Sequence, residues 1–248
     1  MPDGTVIRFE KAIMDNFLFI AFPYVALVLA IGVGIYRHAR KPYTYSSLSS
    51  QLLENKKLFW GSVPFHYGLV LILLAHLLAA LLPGAARWLL GTEIRRLVLE
   101  VTGMALGLYT FFGLVVLIIR RLAPKSLAQA VTTYMDGVVL FALLVQVGSG
   151  IAVAIFDRWG GLWYLHTAVP WFWSLAALHP ETSTVAPLPA FVKLHFVFGF
   201  VVILLFPFSR LVHLVKFPVQ YLWRPYQVVI WNHRTTKAGL HSKEITNG

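Results

Sequence analysis

Cysteine is absent from this 248-residue chain, and that absence removes several chemistries at once. Without thiolates there is no disulfide, no covalently attached c-type haem and no iron–sulfur cluster. Negative charge is scarce too: 10 Asp and Glu stand against 21 Lys and Arg, and charged residues make up 12% of the chain, where an average soluble domain carries about one quarter. The first residues lack the basic start and small-residue cleavage site of a secretory signal, since Asp3, Glu10 and Asp15 lie among Arg8 and Lys11. What fills the chain instead is apolar, at 58% hydrophobic residues and a mean hydropathy of +0.71. Together these features predict an all-α, multi-pass integral membrane protein, a single domain over residues 1–248. In a soluble protein the net charge of +11 would point to nucleic acid. Here the cations gather between apolar segments, so the expected surroundings are lipid, with no nucleic-acid partner.

Five stretches are long enough to span a bilayer as helices: Phe17–Tyr36, Ser62–Leu82, Leu97–Ile119, Tyr134–Phe156 and Ala190–His213. If the N-terminus is outside, 14 Lys and Arg fall on the cytoplasmic side and 7 on the outer side. The positive-inside rule then gives a bundle with its N-terminus outside, its C-terminus cytoplasmic and a cytoplasmic tail over residues 214–248. The serines, lysines and leucines of YTYSSLSSQLLENKKLF, between the first two spans, predict a short interfacial helix. Between the fourth and fifth, Trp159 to Pro189 holds four tryptophans and four prolines. Prolines disfavour a sixth crossing and tryptophans favour the interface, so this segment is expected along the outer bilayer surface.

Histidines within the spans carry the chemistry. His195 and His213 lie 18 residues apart on the fifth span, which on a continuous helix is five whole turns, one face and about 27 Å. On the second span His66 and His76 lie ten residues apart. Antiparallel running of the two spans pairs His66 with His213 near the cytoplasm and His76 with His195 near the outer face. Ionisable groups inside a membrane are costly and usually bind something, and haem iron accepts two axial imidazoles from facing helices. The four are therefore read as axial ligands to the iron of two haems, set against the plainer possibility of interior histidines satisfied by carbonyls or joined in a proton relay. Ten residues leave His66 and His76 about 80° apart around their helix and only about 15 Å apart along it. Tilt and a kink at Pro207 are expected to absorb the mismatch. Gly199, one turn from His195, removes a side chain where a flat macrocycle would approach. Arg210 shares a face with His213 and is placed either to meet a haem propionate or to snorkel to headgroups.

Two runs carry a family likeness. KLHFVFGFVVILLFPFSRLVHLVKFPVQYLWRPYQVV resembles the fifth-helix signature of the gamma (cytochrome b, diheme) subunit of membrane-bound respiratory nitrate reductase, and SSQLLENKKLFWGSVPFHYGLVLILLAHLLAALLP resembles its second-helix region. YTYSSL and VTTYMDGVVLFALLVQVGSG extend the similarity over about Phe17 to Val229. The resemblance implies two b-type haems on the two histidine pairs and oxidation of quinol, menaquinol or ubiquinol, near the outer haem. It further implies electron transfer to a cytoplasmic-side iron–sulfur (beta) subunit and a molybdenum catalytic (alpha) subunit that reduces nitrate, at the cell's inner membrane. A lysine of the family's quinol pocket falls near Arg95 or Arg96, and Ala75 stands where the family has glycine before the outer histidine. The tail from His233 to Gly248 has no counterpart. Alternatives are the same module serving a nitrite oxidoreductase or sulfur-compound reductase, a haem-free proton-coupled transporter, or a structural anchor.

Overall fold

Prolines decide where these helices change character. The computed structural model describes residues 4–40, 55–123, 132–157 and 160–214. The expected interfacial helix falls largely, and the tail from residue 215 wholly, outside the described residues. Helices α1 (Gly4–Asn16) and α2 (Phe22–Arg40) run on through a π turn at Phe17–Ala21, where the Phe22 amide donates to the Phe17 carbonyl. Pro23, buried in the first turn of α2, has no N–H, and its ring would strike the carbonyl four residues back, that of Phe19. The wider turn relieves the clash. It also frees the Phe19 carbonyl, which accepts from the indole Nε1–H of Trp171 at 3.0 Å.

Helix α3 (Asn55–Leu81) is followed by the short α4 (Pro83–Leu90), the long α5 (Glu93–Leu122) and α6 (Tyr134–Phe156). Then come α7 (Gly160–Trp163), a π turn at Tyr164–Ala168, α8 (Val169–Ala176) and α9 (Ala190–Leu205). Five helices are long and apolar enough to cross a membrane: Phe9–Arg40, Phe59–Leu81, Glu93–Leu122, Tyr134–Phe156 and Ala190–Phe208. The expected all-helical, five-span class stands, with no strand among the described residues. Principal packing joins α3 to α5, α5 to α6, α6 to α9 and α9 to α2.

Close approach of α3 and α5 depends on glycine. A Cβ on Gly113 would lie 2.5 Å from the Phe65 amide nitrogen, and one on Gly68 2.2 Å from Thr110 Oγ1. Small residues at such crossings let helix backbones touch where lipid supplies no hydrophobic drive. At the His66 end of the bundle Phe65, Leu114, Val139 and Leu143 form one core, with Val202, Leu205 and Leu211 against it.

At the opposite end Phe19, Trp171, Val185, Val192, Phe196 and Phe200 form another. Trp171, 1% exposed, stacks on Phe196 at 5.4 Å and meets Phe19 edge-on at 5.7 Å. The segment expected along the bilayer surface is thus tucked into the bundle. Its indole N–H needed a buried acceptor, and Pro23 had freed one.

The fifth span also departs from expectation. Its α-helix stops at Leu205, a 3₁₀ turn covers Phe206–Phe208, Ser209 is extended, and a second 3₁₀ turn carries Arg210–Leu214. Pro207 does more than kink the helix, so His195 and His213 do not share one continuous helical face. Arg37 of α2 donates to the freed Pro207 carbonyl and, at 3.4 Å, to that of Ser209. Ser209 Oγ accepts from the Leu211 amide at 3.2 Å, starting the final turn.

Candidate functional site

Each of the four span histidines holds its ring the same way. His66 Nδ1 lies 2.7 Å from the Ser62 carbonyl, His76 Nδ1 2.8 Å from that of Ile72, His195 Nδ1 3.0 Å from that of Gln146, and His213 Nδ1 2.6 Å from that of Arg210. A carbonyl only accepts, so every Nδ1 carries the proton and every Nε2 presents a lone pair. Metal-ligating imidazoles are oriented in this manner, with the second nitrogen donating to a carbonyl.

One expected pair is in ring contact. His66 on α3 and His213, in the 3₁₀ turn beyond α9, stand 6.1 Å apart at 68°. With an imidazole–metal distance of about 2 Å on each side, ring centres about 6 Å apart leave room for one metal atom between two Nε2 atoms. Among the described residues no group of three or more His, Asp or Glu gathers as a metal centre.

At the other end of the bundle His195 is gripped by α6. Ser149 Oγ lies 3.2 Å from its Nδ1, and Gln146 Nε2 lies 3.5 Å from its Nε2. Gln146 Oε1 is buried with no hydrogen-bond partner. A Cβ on Gly150 would stand 2.8 Å from His195 Cε1, so glycine there makes room for the ring. Gly199 faces the same amide, its Cβ position 3.6 Å from Gln146 Nε2. The ring of Tyr164 packs edge-on against His76 at 5.3 Å, and its hydroxyl donates to the His76 carbonyl at 3.1 Å. Burial pushes the Tyr164 phenol up to about 12, so it stays a protonated donor.

Arg210 is taken up by a carboxylate: its Nε lies 3.3 Å from Asp136 Oδ1, while Arg121 lies 3.4 Å from Oδ2. Asp136 is itself held by a capping box with Thr133 at the start of α6. The T-x-x-D spelling in TTYMD signalled the cap, but nothing in the sequence signalled the two arginines. Sequence reasoning also missed Gln146, Ser149 and Gly150, one helical turn of α6, and the Lys193–Asp15 ion pair at 2.6 Å that ties α9 to α1 just outside His195.

Arg95 and Arg96 diverge although adjacent. Arg95 donates to the Trp88 and Leu89 carbonyls at 2.7 and 3.1 Å and lies over the Trp88 ring at 4.7 Å, closing the corner between α4 and α5. Arg96 is half-buried and lies on the same face of α5 as Glu100, one turn on.

Known proteins bear on the whole of this arrangement. The sequence profile described as nitrate reductase gamma subunit matches residues 15–232. The nitrate reductase gamma chain of Bacillus subtilis is 34% identical over 210 residues, 83% of this chain and 93% of that one. Escherichia coli respiratory nitrate reductase 1 gamma chain is 33% identical over 229 residues, covering 89% and 99%. Its respiratory nitrate reductase 2 gamma chain is 31% identical over 220 residues, covering 87% and 96%. A five-span helical membrane protein matched over nearly its full length to these chains belongs to the nitrate reductase gamma subunit family.

Proposed function

We propose that the chain is the quinol-oxidising membrane anchor of a respiratory nitrate reductase of the cell's inner membrane. It holds two b haems, one between His66 and His213 and one between His76 and His195. The observation that carries this reading is the common posture of the four imidazoles, each giving Nδ1–H to a carbonyl and keeping Nε2 for a ligand. Bound haem would supply reversible one-electron redox chemistry at those two places.

The chain's own residues do the rest. Ser149 and the Gln146 carbonyl fix the His195 ring, and Tyr164 walls His76. Near the cytoplasm Asp136 gathers Arg121 and Arg210 beside His213, leaving donors for the propionates of a haem. Quinol binds at the outer end beside His76, where Arg96 favours the developing quinolate charge. Arg95 holds the α4–α5 corner that frames the pocket. Electrons leave at the cytoplasmic end for an iron–sulfur (beta) subunit and a molybdenum (alpha) subunit, a partnership supported by the relatives' designation as gamma chains.

Haem content of the purified chain and its reduction by a quinol analogue test the proposal together. About two haems per chain are expected by pyridine haemochrome, about one after His76→Ala or His213→Ala, and quinol should reduce the wild-type pigment. A chain with no haem, or one whose haems survive both substitutions, overturns the ligand assignment.

A further inference from the structure

Two polar atoms at the outer end of the bundle are shut off from the surface and have no hydrogen-bond partner: Glu100 Oε1 on α5 and Trp163 Nε1 on α7. One is an acceptor and the other a donor. A hydroxyl group, which accepts through its oxygen and donates through its proton, satisfies both. Leaving such groups bare costs about 1–3 kcal/mol each, and buried polar atoms of native proteins are generally paired.

Their place in the bundle selects the ligand. On the facing helices Gly61 meets Val116 and Leu117, Phe65 meets Gly113, and Gly68 meets Leu106 and Thr110. Continuing that antiparallel register outward sets Glu100 level with His76. Helix α5 also packs on α7, and Tyr164, next in sequence after Trp163, touches the His76 ring. Glu100 and Trp163 therefore flank the quinol end of the molecule, one turn beyond Arg96.

We infer that Glu100 is the proton acceptor for quinol oxidation and that Trp163 Nε1 donates to the same quinol oxygen, an assignment that rests on the quinol reading above. The atoms balance as follows. The O–H bond of the hydroxyl seated between the two side chains breaks, its proton passing to Glu100 Oε1 and from there to the outer aqueous phase. The second hydroxyl gives its proton to water at that surface. Two one-electron acceptors held at the histidine pairs would take the two electrons, and quinone leaves. The charged and titratable groups at this end of the elements packed against α5 are Arg95 and Arg96 on α5 itself, His76 on α3, Arg87 on α4, Asp157 at the end of α6 and Tyr164 after α7. Tyr164 stays neutral, and Arg95 is engaged with the Trp88 and Leu89 carbonyls.

Stopped-flow reduction of the haems by a water-soluble quinol, in the full chain across pH, tests the assignment. Glu100→Gln should keep about two haems and an unchanged dithionite-reduced spectrum. It should still bind a redox-inert quinol analogue, yet slow haem reduction at neutral pH by about tenfold to a hundredfold. The rate should recover as pH rises and the quinol deprotonates without a base. Glu100→Asp should restore part of the rate, and Trp163→Phe should raise KM more than it lowers kcat. Wild-type rates in Glu100→Gln at every pH overturn the inference, as does loss of haem from that variant, which would make Glu100 structural. A wild-type chain that holds two haems but is not reduced by quinol overturns the quinol reading beneath it instead.

Discussion

A protonated Nδ1 facing a carbonyl is a small feature, but four repetitions, two on α3, one on α9 and one in the 3₁₀ turn beyond it, give it weight. A ring fixed through one nitrogen holds the lone pair of the other in a set direction, which is how a ligating imidazole is prepared. The most constrained is His195, because its ring lies against the backbone of α6 at Gly150. Gly150→Ala would place a methyl 2.8 Å from Cε1, closer than carbon atoms approach, and the ring must swing off the Gln146 carbonyl. The expected result is loss of the outer haem, with haemochrome falling from about two to about one per chain while the cytoplasmic haem persists. Full haem content in Gly150→Ala would show that the ring can move without losing its ligand. Legibility differed sharply at this scale. The histidines could be read as a set because each is an anomaly in an apolar run. Gly150, Gln146 and Ser149 could not, because small or polar residues in membrane helices are ordinary and only the fold brings them to His195. Arg210 was legible as a basic group near His213; that Asp136, 74 residues earlier, holds it was not.

Pro64 lies within the unbroken α3, but at Pro23 and Pro207 the regular ladder gives way, and in both cases a side chain from a distant element takes up a carbonyl left free. Pro23 opens the π turn, and Trp171 accepts the task at Phe19, 152 residues away in sequence. Pro207 ends α9, and Arg37 of α2 reaches its carbonyl across 170 residues. The three middle spans are legible to within four residues of their ends, since a run of about twenty apolar residues has one solution in lipid, but the first begins at Phe9 rather than Phe17 and the fifth ends at Phe208, short of His213. The breaks were underestimated. A proline announces a kink, but whether the chain bends, widens into a π turn or stops depends on partners that local pattern does not contain. For the same reason the tryptophan-rich segment was assigned to the surface: composition gave its affinity for an interface, and the acceptor that draws Trp171 inward lies on another helix. Replacing Trp171 by Phe keeps the stacking on Phe196 and removes only the indole donor, leaving the Phe19 carbonyl bare. A loss of about 1–3 kcal/mol is expected, seen as a lower thermal midpoint in detergent with the haem bands retained up to unfolding. An unchanged midpoint would mean that the π turn satisfies its own carbonyls.

Sidedness gives the reaction its consequence for the cell. Protons released by quinol at the His76 end and electrons delivered at the His213 end separate charge only if those ends face different compartments, with the first outside. The imbalance of 14 to 7 cations is the physical ground for that orientation, and the absence of cysteine makes it measurable. Tyr134, 98% exposed at the start of α6, and Ser183, exposed in the segment before α9, are separated by the single crossing of α6. Ser183→Cys should react with a membrane-impermeant maleimide in intact cells, and Tyr134→Cys only after the membrane is opened. Reaction of both from one side would remove α6 as a crossing. The reverse pattern would keep all five crossings but turn the molecule over. Quinol protons would then be released inside and the electrons delivered outside, so the charge separation would run in the opposite direction and oppose an outward-positive membrane potential.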